Sequence, residues 1–377
     1  VIAVANCHAS LSPSILWTCI VLQADGSQTM TADMTKNKAE IQTRNLADVL
    51  GERVVEVYGP GAGIEGLLRL SGGASRETWS FDALLPDGGR KPLILKRDPL
   101  DEKLENQPGG ADTNFSVDRW TEGRLMQLAG EVDVPVPEVP FFLAADERTT
   151  AGFVMQRLEG EALGRRIVRE DEFARARPKL AFQCGEAAAR FHNIPIERLP
   201  QLRSFTPAEA LDYNLAVMDS VKQPHAGFEY GIHWLRERLE LAGDRWGLSH
   251  GDYRNGNLLV DGDGLRGVLD WELGHLANPV SDLGWICIRA WRYGYYDDPV
   301  GGFGEVEDLL DGYEAGGGGR VSLETLRFWE VFGCMRWGVI CMMLAFTHIE
   351  GRERSVEKVS IGRRSIEGEY DMLQLVD

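Results

Sequence analysis

The stretch from Leu248 to Val260, followed by Gly267 to Glu272, limits what this chain can fold into more than any other part of it. A carboxylate, Asp252, and a carboxamide, Asn257, stand five positions apart, ahead of the apolar run Leu258 to Val260. A Gly/Asp turn and a second apolar run then end in another carboxylate, Asp270. Strand, turn, strand is the simplest reading. Such a hairpin returns Asp270 towards the loop that holds Asp252 and Asn257. Oxygen donors of this kind suit a hard, hydrated cation such as Mg2+, with one carboxylate left to orient or deprotonate a hydroxyl.

The rest of the chain must supply a scaffold for that loop. At 377 residues it can build one large core or two smaller ones. A 44% hydrophobic and 26% charged composition is that of a globular protein. The net charge of -18 disfavours a nonspecific nucleic-acid binder. It leaves room for an anionic ligand, because a few glycine amides and one lysine make a local positive site. The 6 cysteines include no CxxC pair, and a reducing compartment is the economical reading. The most apolar run, Trp337 to Phe346, is too short to cross a bilayer and reads as part of a core helix, so no membrane partner is expected. Residues 1–35 lack a basic segment ahead of their apolar run and read as an uncertain N-terminal extension.

Residues 37–50 read as a helix closed by Gly51, and Val54 to Tyr58 as a strand. Gly61 to Gly66 spells GxGxxG, but no substantial helix opens from it, which removes the dinucleotide reading. The turn Ser71 to Ser75 lies between two extended runs. Gly72 and Gly73 permit close backbone approach, and Ser75 offers a hydroxyl to phosphate, although any tight hairpin can use two glycines. Lys96 ends the apolar strand from Leu93 and is either solvated at an edge or turned back to phosphates. Asp118 caps a helix through Leu128, on which Glu122 is either a surface carboxylate or a partner for Lys96. Runs Val139 to Leu143 and Phe153 to Leu158 complete about five antiparallel strands, and the chain leaves the sheet at Gln156 to Gly160.

Beyond Gly160 the chain reads as mainly helical, at 170–192, 207–221, 228–243, after Asn278, and from Leu323 to His348. His192 and His233 show no metal-ligand spacing and read as packing or interface polar residues. Asp282 either starts a helix or braces the Asp252 loop. Residues 297–315 carry seven acids without Lys or Arg, either an acidic pocket or, preferably, a solvated run. No GxSxG elbow, Walker A sequence or zinc cluster offers a strong rival chemistry.

At His250 to Asn257 and Leu269 to Glu272, with Leu70 to Ser75, Lys96 and Glu122 in order, the chain resembles the aminoglycoside phosphotransferase and choline kinase family. The resemblance covers residues 50–350 and implies an α+β, protein-kinase-like, two-lobed fold. In that fold residues 36–158 form a small, mainly antiparallel nucleotide-binding lobe, and residues 159–377 a larger helical C-terminal lobe with the catalytic loop and acceptor site. It implies ATP- and Mg2+-dependent phosphorylation of a small-molecule hydroxyl, with Asp252 as the catalytic base and Asn257 and Asp270 at the metal. Gly72, Gly73 and Ser75 would cover the phosphates, Lys96 would pair with them under the hold of Glu122, and Gln156, Arg157 and Leu158 would form the adenine hinge. Arg254 would order the loop or meet an acceptor anion. The form of the motifs is similar to phosphotransferase domains related to those attached to some acyl-CoA dehydrogenases, which sets a hydroxyacyl acceptor beside aminoglycosides. The alternative from another class is a nucleotide-binding regulatory module without turnover, against which the presence of Lys96, Asp252, Asn257 and Asp270 argues. A cytoplasmic location is expected from the ATP chemistry and absent export signal. Oligomeric state is not legible.

Overall fold

The computed structural model describes residues 27–70, 77–99 and 116–376, with side chains from Thr43 onward. Helix α1 (Ser27–Tyr58) leads into strands β1 (Gly63–Leu70), β2 (Glu77–Leu84) and β3 (Arg90–Arg97). Helix α2 (Arg119–Gly130) and strands β4 (Phe141–Leu143) and β5 (Gly152–Gln156) come next. The strands make one antiparallel sheet in the order β1-β2-β3-β5-β4. Trp79, Phe81 and Ala83 alternate along β2, and Leu93 and Leu95 along β3, so one sheet face packs on Leu46, Leu50 and Val54 of α1. The same alternation puts Lys96 on the other face, towards the helical part of the molecule.

Val54 to Tyr58 is helix and not strand, a correction to the sequence reading. Leu46, Val49, Leu50 and Val54 recur at helical spacing and are all buried. That packed face outweighs the strand preference of valines at 54, 55 and 57. Gly51 sits inside the helix, and a Cβ there would meet nothing within 4 Å. The GxGxxG stretch runs into β1, and no helix opens from it.

The helical part contains α3 (Gly164–Arg169), α4 (Arg177–His192), α5 (Pro207–Val221) and α6 (Ala226–Arg236). It continues with α7 (Val280–Cys287), α8 (Val306–Ala315), α9 (Leu323–Ile349), α10 (Val356–Gly362) and α11 (Ser365–Leu375). The helix expected over 170–192 thus begins at Arg177, and that over 228–243 ends at Arg236 with a 3-10 turn after it. By length and composition α9 could cross a membrane, with mean hydropathy 1.4 over its apolar window. Here α5, α7, α10 and α11 pack on it, and its Glu330 pairs with Arg292 at 2.8 Å. Helices α4 and α8 touch backbone to backbone: a Cβ on Gly185 would fall 2.0 Å from the Leu309 carbonyl oxygen. Acids 305, 307, 308, 311 and 314 are exposed, as a solvated run should be.

Two short pairs carry the loop of interest. Strands β6 (Gly247–Ser249) and β9 (His275–Ala277) pair antiparallel, as do β7 (Leu258–Val260) and β8 (Leu265–Val268). The expected hairpin is therefore present, and the Leu269 amide donates to the Asn257 carbonyl at 2.8 Å.

Two glycine substitutions test this packing by urea unfolding. Gly51→Ala should stabilise by roughly 0.5–1 kcal/mol, since it adds helix propensity in open space. Gly185→Ala should destabilise by roughly 2 kcal/mol, because α4 and α8 must separate.

Candidate active site

Lys96 stands one residue from the end of β3, opposite Thr78 of β2 and Phe153 of β5. Its ammonium donates to Glu122 Oε1 and to Asp270 Oδ1, each at 2.8 Å. Glu122 lies fully buried in the first turn of α2, and its other oxygen accepts from Arg119. Arg119 in turn meets Asp98 at 3.2 Å. Burial works to lower the Lys96 pKa, but the adjacent Glu122 and Asp270 outweigh it and the net shift is upward. One cation thus joins the sheet, α2 and the hairpin end. Asp270 has a left-handed backbone, φ 65°, which Asp tolerates better than most residues.

The side chains of the loop divide between two sides. His250 Nε2 lies 3.0 Å from the Leu269 carbonyl, the Tyr253 hydroxyl donates to the Cys184 carbonyl at 2.8 Å, and the Asn255 side-chain amide to that of Gly301 at 2.8 Å. These three are buried and fasten the loop. Asp252, Arg254 and Asn257 converge on the other side. Asp252 Oδ1 accepts from Arg254 Nε and from Trp285 Nε1, both at 2.9 Å, and Oδ2 accepts from Asn257 Nδ2 at 2.7 Å. The Arg254 guanidinium lies over Trp291, 4.5 Å from the ring centre. Gly251 has φ 80°, and a side chain there would strike the Leu273 carbonyl oxygen at 2.4 Å, so the turn into Asp252 requires glycine.

Beneath the loop, Asp282 of α7 accepts from the His250 amide at 2.6 Å, the Gly251 amide at 3.0 Å and the Ser249 hydroxyl at 3.0 Å. His192 Nε2 completes the set at 3.2 Å, and His192 Nδ1 lies 3.0 Å from the Tyr313 hydroxyl. A carboxylate only accepts, so Nε2 carries the proton in neutral His192. Burial alone would raise the Asp282 pKa; the bond from His192 and the charges and amides around it overcome that and bring it to about 2. Burial lowers the His192 pKa in spite of Asp282.

The chain leaves the sheet through Gln156, Arg157 and Leu158. The Gln156 amide donates to the Glu138 carbonyl at 2.7 Å and that of Arg157 to the Pro92 carbonyl at 2.9 Å. The Arg157 side chain reaches Ser80 at 2.5 Å and Asp82 at 2.8 Å. Glu161 and Val260 then exchange backbone bonds at 2.8 and 2.9 Å, which clips the crossing segment to β7 beside Asn257. Gly72, Gly73 and Ser75 lie outside the described residues. Among the described residues on either side of them, Thr78 pairs with both Leu70 and Lys96.

A divalent cation fits the donors at the hairpin. The Asn257 amide nitrogen is committed to Asp252, which turns its carbonyl oxygen the other way, and the Asp270 side chain is 36% exposed. One carboxylate and one carboxamide oxygen suit Mg2+, which keeps waters and takes phosphate oxygens to complete its shell. Among the described residues no group of three or more His, Cys, Asp or Glu could hold a metal by itself.

Sequence reasoning missed Trp285, Arg119 and Arg336, which lies 4.7 Å over the Trp285 ring. One signal was available for Trp285: a buried indole N–H needs an acceptor, and this residue falls one helical turn after Asp282.

A small antiparallel sheet joined to a helical part, with a lysine, a buried glutamate and the Asp252 loop at their meeting, is the protein-kinase-like architecture. Residues 66–324, well over half the chain, match the phosphotransferase enzyme family, and the chain belongs to that family. A Ralstonia eutropha protein assigned to the aminoglycoside phosphotransferases has the same fold, with TM-score 0.66, 18% identity, and coverage of 89% of this chain and 98% of that one. A thermostable mutant of aminoglycoside phosphotransferase APH(4)-Ia, in ternary complex with AMP-PNP and hygromycin B, matches with TM-score 0.54, 15% identity, and coverage of 86% and 98%. In sequence, an Arabidopsis thaliana protein named as a probable acyl-CoA dehydrogenase, IBR3, is 25% identical over 220 residues. That match spans 53% of this chain and only 25% of the plant protein.

The Asp282 node predicts an acid limb in stability. A carboxyl held at about 2 stabilises the fold above its ordinary value and loses that contribution as pH falls towards about 2. A buried neutral histidine acts in the same direction, its contribution declining below its ordinary 6.5. Asp282→Asn should cost about 3 kcal/mol at neutral pH. The gap to wild type should narrow once pH drops below 3.8, as urea unfolding across pH would record.

Proposed function

We propose that the protein transfers the γ-phosphoryl group of ATP to a hydroxyl of a small molecule, with Asp252 as the base. The observation that carries this reading is the three-donor grip on the Asp252 carboxylate by Arg254, Trp285 and Asn257, in one site with the Lys96, Glu122 and Asp270 group. The nucleotide-bound complex of a fold relative supports nucleotide use.

In this reading the acceptor hydroxyl donates to Asp252 and its oxygen attacks the γ-phosphorus in line with the leaving oxygen. The new oxygen–phosphorus bond forms as the bond to the bridging oxygen breaks; Asp252 takes the proton and ADP leaves. An ammonium has three N–H donors. Lys96 spends two on Glu122 and Asp270 and offers the third to a phosphate oxygen. Arg254 and Trp285 keep the carboxylate from rotating while the hydroxyl approaches. Mg2+ at Asn257 and Asp270 would supply charge neutralisation on the phosphates. With the Gln156 and Arg157 amides already engaged, an adenine edge at the crossing segment would meet the backbone from Leu158 onward.

Phosphate transfer from ATP to a broad panel of alcohols, with products detected by mass, tests the assignment. Asp252→Asn should lower kcat at least about a thousandfold and leave nucleotide binding intact. Chelation of Mg2+ should stop transfer in wild type. Undiminished turnover of a genuine acceptor by Asp252→Asn would remove Asp252 from the role of base. Trp285→Phe, which keeps the ring but loses the N–H, should lower kcat about tenfold with little change in the KM for ATP.

A further inference from the structure

Just past α7 the chain makes a 3-10 turn (Arg289–Trp291) that ends on a buried tryptophan. Trp291 touches both of the groups that donate to Asp252 Oδ1. The Arg254 guanidinium lies 4.5 Å from its ring centre, and the Trp285 ring stands edge-on to it at 5.4 Å. Trp337 of α9 packs on the same indole, with 4.8 Å between ring centres. A buried indole N–H normally finds an acceptor, but that of Trp291 has none among the described residues. An unsatisfied donor is costly, so what the fold uses at this position is the ring.

The residues that follow hold the ring in place. Arg292 pairs with Glu330 of α9 at 2.8 Å and donates to the Cys287 carbonyl at 2.6 Å. Tyr293 has a left-handed backbone, φ 48°, which a bulky side chain rarely adopts, and its hydroxyl donates to the Asn255 carbonyl at 3.4 Å. Such a residue persists only where its surroundings over-determine it, and strained residues of this kind gather at functional sites. Trp285 also borders a cavity of about 290 Å3, whose charged wall groups are Arg203 and Arg336, so packing does not enclose the whole of its ring.

Asp252 Oδ1 accepts from Arg254 Nε and from Trp285 Nε1; among the described residues, Oδ2 accepts only from Asn257. A carboxylate oxygen has about two acceptor sites, so Oδ1 is filled and Oδ2 keeps one open. We infer that Trp291 is a positioning residue that selects the basic oxygen: by carrying both donors to Oδ1, it leaves Oδ2 to the acceptor hydroxyl. The inference rests on the phosphotransfer reading and assigns the proton to one atom. That proton passes to Oδ2 as the hydroxyl oxygen bonds to phosphorus and the bond to the bridging oxygen of ADP breaks.

The test reads turnover and structure separately on the full chain. With any alcohol that wild type phosphorylates, Trp291→Leu should lower kcat at least about tenfold and leave the KM for ATP within about twofold. Trp291→Phe restores a ring face to Arg254 and should recover most of kcat. Trp285→Phe added to Trp291→Leu should lower kcat little further, because the two act through one oxygen. Phe328→Leu alters a buried aromatic of α9 whose ring meets Trp329 instead, and it should lose stability without that change in kcat. Trp291→Met covers the case in which Trp291→Leu does not fold. Without any acceptor, the indole N–H of Trp285, identified by its loss in Trp285→Phe, should exchange with deuterium at least about tenfold faster in Trp291→Leu. That faster exchange in a protein that phosphorylates no alcohol would sink phosphotransfer and leave Trp291 as the support of the Asp252 carboxylate. A wild-type kcat in Trp291→Leu, a loss that Trp291→Phe does not recover or that Phe328→Leu reproduces, or an unchanged exchange rate would overturn the inference.

Discussion

The Lys96 ammonium is the point on which the two parts of this molecule depend. It comes from the sheet, on the face that α1 does not cover, and its two bonded carboxylates come from α2 and from the far end of the β7–β8 hairpin. Of the three, Glu122 is fully buried, and removing the lysine would leave that carboxylate with less compensation, which is more costly than the group's net contribution to stability. Glu122 also accepts from Arg119, which in turn meets Asp98, so the ion pairs run on from the sheet lysine into the helices. Through the Lys96 pair the sheet fixes where Asp270 stands relative to the Asp252 loop.

Helix α7 performs the corresponding task from below. Asp282 gathers two loop amides, a hydroxyl and an imidazole, and Trp285, one turn further on, reaches the Asp252 carboxylate on the loop's open side. Side chains three apart on a helix share a face, so one short helix can hold both the backbone and the working side chain of the same loop. His250, Tyr253 and Asn255 are spent on fastening, and the residues between them are thereby turned to the cleft.

Much of this was legible because it is written in local pattern. The hairpin that carries Asp270 back to Asn257 follows from two apolar runs and a turn, and the five-strand count follows from alternation and punctuation. Charge matching brought Lys96 and Glu122 into one reading before their contact was known. What escaped was set by encounters between distant segments. The helical course of Val54 to Tyr58 depends on a sheet face that no local propensity reports, and β-branched residues there pointed to a strand. Arg336 sits mid-way along a long core helix, and nothing nearby in sequence distinguishes it from a surface arginine. The position of Trp285 against it exists only in three dimensions.

The charge of the whole chain and that of its cavity point in opposite directions. The excess acids stand where water screens them, as on α8, and their field fades over about 10 Å at ordinary ionic strength. Selection of a ligand is made by groups inside that distance and out of water, where each charge acts with much less screening. In this cavity those groups include aromatic rings, a stacked guanidinium, and the polar side chains of Thr206, Asn214, His275 and Ser281. An overall charge of -18 therefore does not by itself argue for a cationic acceptor. The chemistry of an acceptor has to be sought in the short-range environment beside Asp252, where the indole that holds the carboxylate also forms a wall of the cavity.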